Sequence, residues 1–197
     1  MAMVLGCSRR TVDRKVLHLA KEAQKCHAKH LQSLETAYVM FDELETFIHA
    51  RWAQVSVPVV VRVKTGEVLA FGVAKLSSSM PKGQARGWNV DTRAQVVPRV
   101  LKSVAGVLKP SARLATDGDA SYPKWMGLAL PGVQHKRTVA VKGPGYDPLF
   151  AINVAFAKMR NDLARLGRKT WTTTKTIRGL ENHLWLWVAW TNGYEAW

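Results

Sequence analysis

Residues 55–64, VSVPVVVRVK, form the strongest strand signal in the chain. β-Branched valines dominate this stretch, which is typical of a buried strand. Pro58 lacks a backbone N–H, so it predicts that the strand lies at a sheet edge or at a bulge. The Thr65-Gly66 pair is a tight turn after which residues 67–76 return as another strand. Residues 38–48, rich in aromatic and apolar side chains, complete a predicted antiparallel meander of three strands.

The rest of the chain alternates between helices and strands. We predict helices at 93–108, 122–130, 147–166 and 177–191, and strands at 113–116 and 133–141. A meander followed by alternating β and α elements is the order of the ribonuclease-H-like fold, an α/β fold with helices flanking the sheet. The meander would be extended by two further strands, giving a core over residues 36–197. This analogy concerns the fold and names no activity by itself.

A short basic helical segment, residues 1–35, precedes this predicted core. Ser8 is a suitable N-cap, and the first turns that follow it are crowded with basic side chains. The segment either binds DNA or packs on the core as a basic helix, and the sequence leaves both interpretations open.

Charge and composition narrow the class of partner. The 197 residues include 29 Lys and Arg against 14 Asp and Glu, a net charge of +15. Such an excess favours a polyanion, most simply nucleic acid. No apolar run is long enough to span a membrane, and no signal peptide is evident. Two cysteines can form neither a disulfide framework nor a four-cysteine zinc site, so we expect a cytoplasmic protein.

Two aspartates are candidate metal ligands. Strand alternation places Asp42 on the same face as Met40 and Leu44, where a bare carboxylate would need a partner. Asp117 ends a short strand, and ligands bind outside such strand ends in open α/β sheets. Mg²⁺ would suit both, since it prefers carboxylates. The alternatives are an arginine that pairs with Asp42 and a simple Asp-Gly turn at Asp117.

A third ligand is expected from the helix after Asp147. Asn153 and Arg160 are seven residues apart and share one helix face, whereas Asp162 lies on the opposite side. A face that offers Asn153 to a metal therefore offers Arg160 to a phosphate. Asp147 is the fallback ligand if its loop folds back toward the site.

Three stretches together resemble insertion-sequence-1 type transposases, bacterial DDE transposases with a ribonuclease-H-like catalytic core. Residues 160–171, RNDLARLGRKTW, followed by Thr174-Lys175, are similar to the C-terminal signature of that family. Phe41-Asp42-Glu43 resembles its first aspartate strand, and Thr116-Asp117-Gly118 resembles its second. The resemblance covers about residues 38–192.

The resemblance implies Mg²⁺-dependent cleavage and strand transfer of double-stranded DNA at transposon ends and target, with Mn²⁺ as a substitute. Asp42 and Asp117 would be catalytic metal ligands, and Asn153 occupies the place of the third acid of the family. The family further implies a homo-oligomer associated with the bacterial nucleoid. Because Asn153 replaces an acid, the alternative is a catalytically weak or inactive truncated transposase that acts as a DNA-binding inhibitor. A ribonuclease-H-like nuclease acting on RNA or hybrids is a third option.

The remaining expectations concern contacts to DNA. Residues 5–12, LGCSRRTV, resemble the turn and recognition helix of a helix-turn-helix whose first helix is missing. Trp88 lies in a basic loop, where it could either stack on a base or pack within the loop. The predicted DNA-binding residues are Arg9, Arg10, Arg14, Lys15, Lys82, Arg86, Trp88, Arg160, Arg165, Arg168, Lys169 and Lys175.

Overall fold

The computed structural model describes residues 4, 6–138, 147–167 and 173–194, which form a mixed α/β structure. The strands are β1 Thr36–Phe47, β2 Gln54–Arg62, β3 Val68–Phe71, β4 Ala74–Lys75, β5 Leu108–Thr116 and β6 Gln134–Arg137. The helices are α1 Arg9–Gln32, α2 Pro81–Gln84, α3 Arg93–Ser103, α4 Tyr122–Ala129, α5 Phe150–Asp162 and α6 Ile177–Thr191.

The six strands form one mixed sheet in the order β3-β2-β1-β5-β6, with β4 also paired to β2. The pairs β1–β2, β2–β3 and β2–β4 are antiparallel, whereas β5 runs parallel to both β1 and β6. The predicted meander, and its extension by two more strands on the β1 side, are therefore present. Strand β1 lies in the middle of the sheet, with the antiparallel part on one side and the parallel part on the other.

Helices cover both faces of the sheet and create two apolar cores. Met40 and Leu44 of β1 pack with residues of α5 and α6, whereas Phe41 packs on the other face with α3 and α4. Strand β2 contributes valines to both cores, because both of its faces are covered. This double burial explains the nearly uninterrupted apolar stretch at residues 55–61.

Of the two positions predicted from Pro58, the sheet edge is wrong, since β2 lies between β1 and β3, whereas an irregularity in the strand pairing is present. Pro58 is tolerated because it lies opposite the interruption between β3 and β4, where the single predicted strand 67–76 divides in two. Gly72 occupies that interruption. A Cβ atom there would lie 2.8 Å from methyl groups of Val96 and Val100, so the glycine permits α3 to approach the sheet closely.

Helix α1 begins after the predicted cap, because the Ser8 side chain accepts a hydrogen bond from the Thr11 backbone N–H. Its second half packs on α6 and on the edge strand β3. His27 is buried, and its Nε2 atom lies 2.9 Å from the carbonyl oxygen of Leu69. The Asn192 side chain also bonds the backbone of Val68, so β3 has partners along its outer edge.

Other boundaries differ from prediction mainly at element ends. The helix predicted at 93–108 ends at Ser103, and β5 begins at Leu108 after a 3₁₀ turn. The helix predicted at 147–166 begins at Phe150 and ends at Asp162, whereas α6 has the predicted bounds. Residues 139–141 of the predicted strand 133–141 lie outside the described residues. In the part of the chain that the structure describes, no helix is long and apolar enough to cross a membrane.

Candidate active site

The parallel pairing of β1 with β5 brings two aspartates together. Met40 is the register partner of Ala115, and both side chains belong to the core beneath α5 and α6. Two residues further along both strands are Asp42 and Asp117. Because side chains alternate along a strand, both carboxylates project from the same face as Met40 and Ala115. The sheet thus places side by side two acids that are 75 residues apart in the sequence.

The environment of Asp42 disfavours its charge. The pKa of the Asp42 carboxyl is raised to about 6, chiefly because the side chain is half-buried. The negative charges of Asp117 and Glu43 contribute to this rise, whereas the Glu43 backbone N–H, which donates to Asp42 Oδ1 at 2.7 Å, opposes it. Within the described chain, neither Asp42 nor Asp117 forms an ion pair with a lysine or arginine. The described residues therefore contain no arginine partner for Asp42, which was the alternative considered for this carboxylate.

Asp117 also shapes its own loop. Its Oδ1 atom accepts the Asp119 N–H at 3.0 Å, and Asp119 Oδ1 accepts the Ser121 N–H at 2.7 Å. Asp117 therefore forms the turn that was the alternative interpretation of the Asp-Gly pair, and it also lies beside Asp42. These bonds orient the loop that leads from β5 into α4.

Two further groups at this site were missed by sequence reasoning. Tyr122, the first residue of α4, is buried with its hydroxyl near Asp42 and Glu43, and burial raises the pKa of that phenol. Glu43 accepts a hydrogen bond from Ser56, while its buried Oε1 atom lacks a hydrogen-bond partner in the described part of the molecule. Arg93 Nη1 lies 3.9 Å from that Oε1 atom. Strand parity places Glu43 on the face opposite Asp42, so sequence reasoning did not identify it as a site residue.

The candidates for the third ligand lie on and before α5. This helix covers the same sheet face as the aspartate pair, and Asn153 is exposed on it. The Asn153 side-chain nitrogen donates to Asp147 Oδ2 at 2.8 Å, which leaves the amide oxygen to face elsewhere. Asp162, which the helical spacing placed on the side opposite Asn153, accepts from the Trp187 indole at 2.9 Å and faces α6. Among the described residues, no three His, Cys, Asp or Glu side chains converge on a common metal position.

Most of the predicted DNA contacts are accessible. The predicted basic contacts on α1 are exposed, as are Lys82 on α2, Arg86 after it and Lys175, whereas Arg160 and Arg165 are half-buried. Arg86 lies over the ring of Trp52, 5.2 Å from its centroid. The predicted contacts Arg168 and Lys169 lie outside the described residues.

Trp88 has the alternative role considered for it, that of packing. Its side chain is only 9% exposed and belongs to the core beneath α5 and α6. The ring packs edge-on against Trp52, with 6.2 Å between centroids, and Lys75 Nζ lies 5.3 Å from the Trp88 centroid. A ring enclosed in this way has no free face for a base, so we correct the stacking prediction.

The site therefore combines two adjacent carboxylates, an unusually high carboxyl pKa and no basic side chain to neutralise either acid within the described chain. A cluster of this kind can hold a divalent cation, whose charge would offset the repulsion between the acids. Comparison with models of known protein families gives no match, and neither does comparison with curated proteins.

Proposed function

We propose that this chain is a DDE-type transposase of the insertion-sequence-1 type with a ribonuclease-H-like core. It would bind transposon-end DNA and catalyse Mg²⁺-dependent strand cleavage and strand transfer as a homo-oligomer in the bacterial cytoplasm. The observation that carries the proposal is the pair Asp42 and Asp117, aligned on neighbouring parallel strands with no basic partner in the described chain. The strand order β3-β2-β1-β5-β6 supports the proposed core.

Each residue of the site has a distinct role in this proposal. Asp42 and Asp117 would hold the divalent cations, because both offer the carboxylate oxygens that Mg²⁺ prefers. When bound, the metal would supply activation of a water nucleophile and stabilisation of the leaving oxygen. The Asn153 amide oxygen would be the third ligand, with its orientation fixed by the bond to Asp147. The Tyr122 hydroxyl would hold the carboxylate of Asp42 in position.

The proposal is tested with purified protein and DNA. Supercoiled plasmid is incubated with the chain in Mn²⁺ or in EDTA, and a labelled oligonucleotide with a free 3′ hydroxyl is supplied to detect joining. We expect Mn²⁺-dependent nicked circles and covalent joining of the label. Tight DNA binding with neither product, over a range of metal and protein concentrations, would contradict the proposed enzyme.

An exchange of two side chains tests the role of Asn153. In the double variant Asp147→Asn/Asn153→Asp, the hydrogen bond between the two positions is retained while the carboxylate moves onto α5. If position 153 faces the metal, the added charge should tighten Mn²⁺ binding about tenfold, equivalent to about 1.4 kcal/mol. Calorimetric titration measures this change, and the single variant Asp147→Asn is the control. Equal Mn²⁺ affinity in all three proteins would place position 153 away from the metal.

A second candidate function is a DNA-binding protein without chemistry, related to the same family. The observation that favours it is the absence of a third convergent acid among the described residues, with Asn153 at the expected place. Such a chain would compete with an intact enzyme for transposon ends. Mn²⁺-dependent nicking that is lost in Asp42→Ala would exclude this candidate, because both functions require DNA binding and only one requires the metal.

A further inference from the structure

Strands β5 and β6 carry two cations on the same face as the aspartate pair. Arg113 pairs with Gln134, and Ala115 pairs with Lys136. Side-chain alternation puts Arg113, Ala115 and Asp117 on one face of β5. Lys136, as the register partner of Ala115, projects from that face as well. One side of the sheet therefore presents an arginine and a lysine leading toward Asp117.

The spacing of these cations follows from strand geometry. At about 3.3 Å per residue, the Lys136 row lies about 6.6 Å from the Asp117 row, and the Arg113 row lies about 13 Å from it. We call the side chains of Arg113 and Lys136 the β5–β6 track. No acidic side chain interrupts the described rows between Arg113 and Asp117.

Both cations of the track are accessible. Arg113 and Lys136 are exposed, and the Lys136 side chain forms no hydrogen bond or ion pair with any described residue. With respect to the described residues, the Arg113 side chain is bonded through Nε alone, which donates to Gln134 Oε1 at 3.3 Å, so that bond leaves its terminal nitrogens unengaged. Exposed cations next to carboxylates without a basic partner are suited to a ligand that carries several negative charges.

We propose that the β5–β6 track binds consecutive phosphates of a nucleic-acid strand and delivers its backbone to Asp42 and Asp117. The inference rests on the proposed function and adds a binding surface to it. The competing explanation is that basic side chains near an edge strand only discourage pairing with other chains. The two explanations differ in salt dependence, because each phosphate contact releases counterions.

The test compares two double variants with equal loss of charge. Arg113→Gln/Lys136→Gln removes the track, whereas Lys64→Gln/Lys102→Gln removes exposed cations after β2 and on α3, away from this face. Binding of a fluorescein-labelled 30-base-pair duplex is followed by anisotropy in EDTA across a salt series. The track variant should make the negative slope of log K against log salt less steep by about 1.8, which corresponds to an affinity about 60-fold weaker than wild type at 0.1 M salt. The control variant should keep the wild-type slope.

Equal slopes in the two double variants would overturn the track, as would an unchanged slope in the track variant. Thermal melting checks that both variants remain folded. We expect that they do, because all four substituted side chains are exposed. Manganese titration of the wild type separates this proposal from the proposed function. Absence of Mn²⁺ binding would contradict the metal site, while the salt slopes still decide whether the track binds phosphates.

Discussion

Asp42→Asn and Asp117→Asn are each expected to lower Mn²⁺-dependent nicking by about a thousandfold or more. An amide keeps the shape of the side chain but removes one of two negative charges that would hold the cation. A loss of about 4 kcal/mol of transition-state stabilisation corresponds to this factor and is reasonable for a metal ligand. DNA binding in EDTA should remain within about threefold of wild type, because removal of a negative charge does not weaken attraction to phosphate.

Asp162→Asn is the matched control for these two variants. Asp162 is the acid within α5, but it faces Trp187 rather than the aspartate pair, and an asparagine oxygen can still accept the indole N–H. Its nicking rate should stay near that of wild type. Loss of activity in Asp162→Asn equal to that in Asp42→Asn would contradict the site, as would full activity in both aspartate variants.

The second large effect concerns stability without metal. The pKa of Asp42 is raised from 3.8 to about 6, chiefly by burial and then by the charge of Asp117. A carboxyl with a raised pKa in the folded state contributes stability below pH 4 that is lost as the pH rises through 6. At 1.36 kcal/mol per pKa unit, this difference amounts to about 3 kcal/mol at pH 8. Asp42→Asn should therefore stabilise the metal-free protein by up to about 3 kcal/mol at pH 8 and have little effect at pH 4.

Urea denaturation of wild type and variant from pH 4 to pH 8 measures this difference. Added Mn²⁺ should stabilise the wild type at neutral pH and leave Asp42→Asn nearly unchanged, because ligand binding to the folded state raises its stability. Asp162→Asn is expected to have the opposite sign, since hydrogen bonds from Trp187 and Asn161 lower the pKa of Asp162. A lower stability of metal-free Asp42→Asn at pH 8 would contradict this prediction and would indicate that a cation pairs with Asp42 in the folded protein.

The sheet could be predicted largely from local patterns. The valine-rich segment, the Thr65-Gly66 turn and the helical periodicity of residues 177–191 each specify an element through nearby residues. The position of β2 could not be obtained in this way. Pro58 by itself does not distinguish an edge strand from an irregularly paired inner strand, and here the break between β3 and β4 removes the need for its N–H on that side. That break depends on α3 packing against Gly72, which is a tertiary contact.

The candidate site was predictable to the extent that strand parity and strand ends determine it. Asp42 was identified by its apolar neighbours on one face, and Asp117 by its place at a strand end. Tyr122 and Glu43 join them only because the loop after β5 turns α4 back over the end of β1. Trp88 was misjudged for a related reason, since the basic loop around it gives no sign that the ring is buried in the core and packs edge-on against Trp52.

The most direct measurement is anomalous scattering from crystals of the protein soaked in Mn²⁺. A divalent cation held by both acids should give a peak within about 2.5 Å of one oxygen of Asp42 and one oxygen of Asp117. The same soak of Asp42→Asn crystals should give no peak or a much weaker one. A wild-type map that instead places a lysine or arginine nitrogen between the two carboxylates, with no anomalous peak, would contradict the metal site and leave only a protein that binds polyanions.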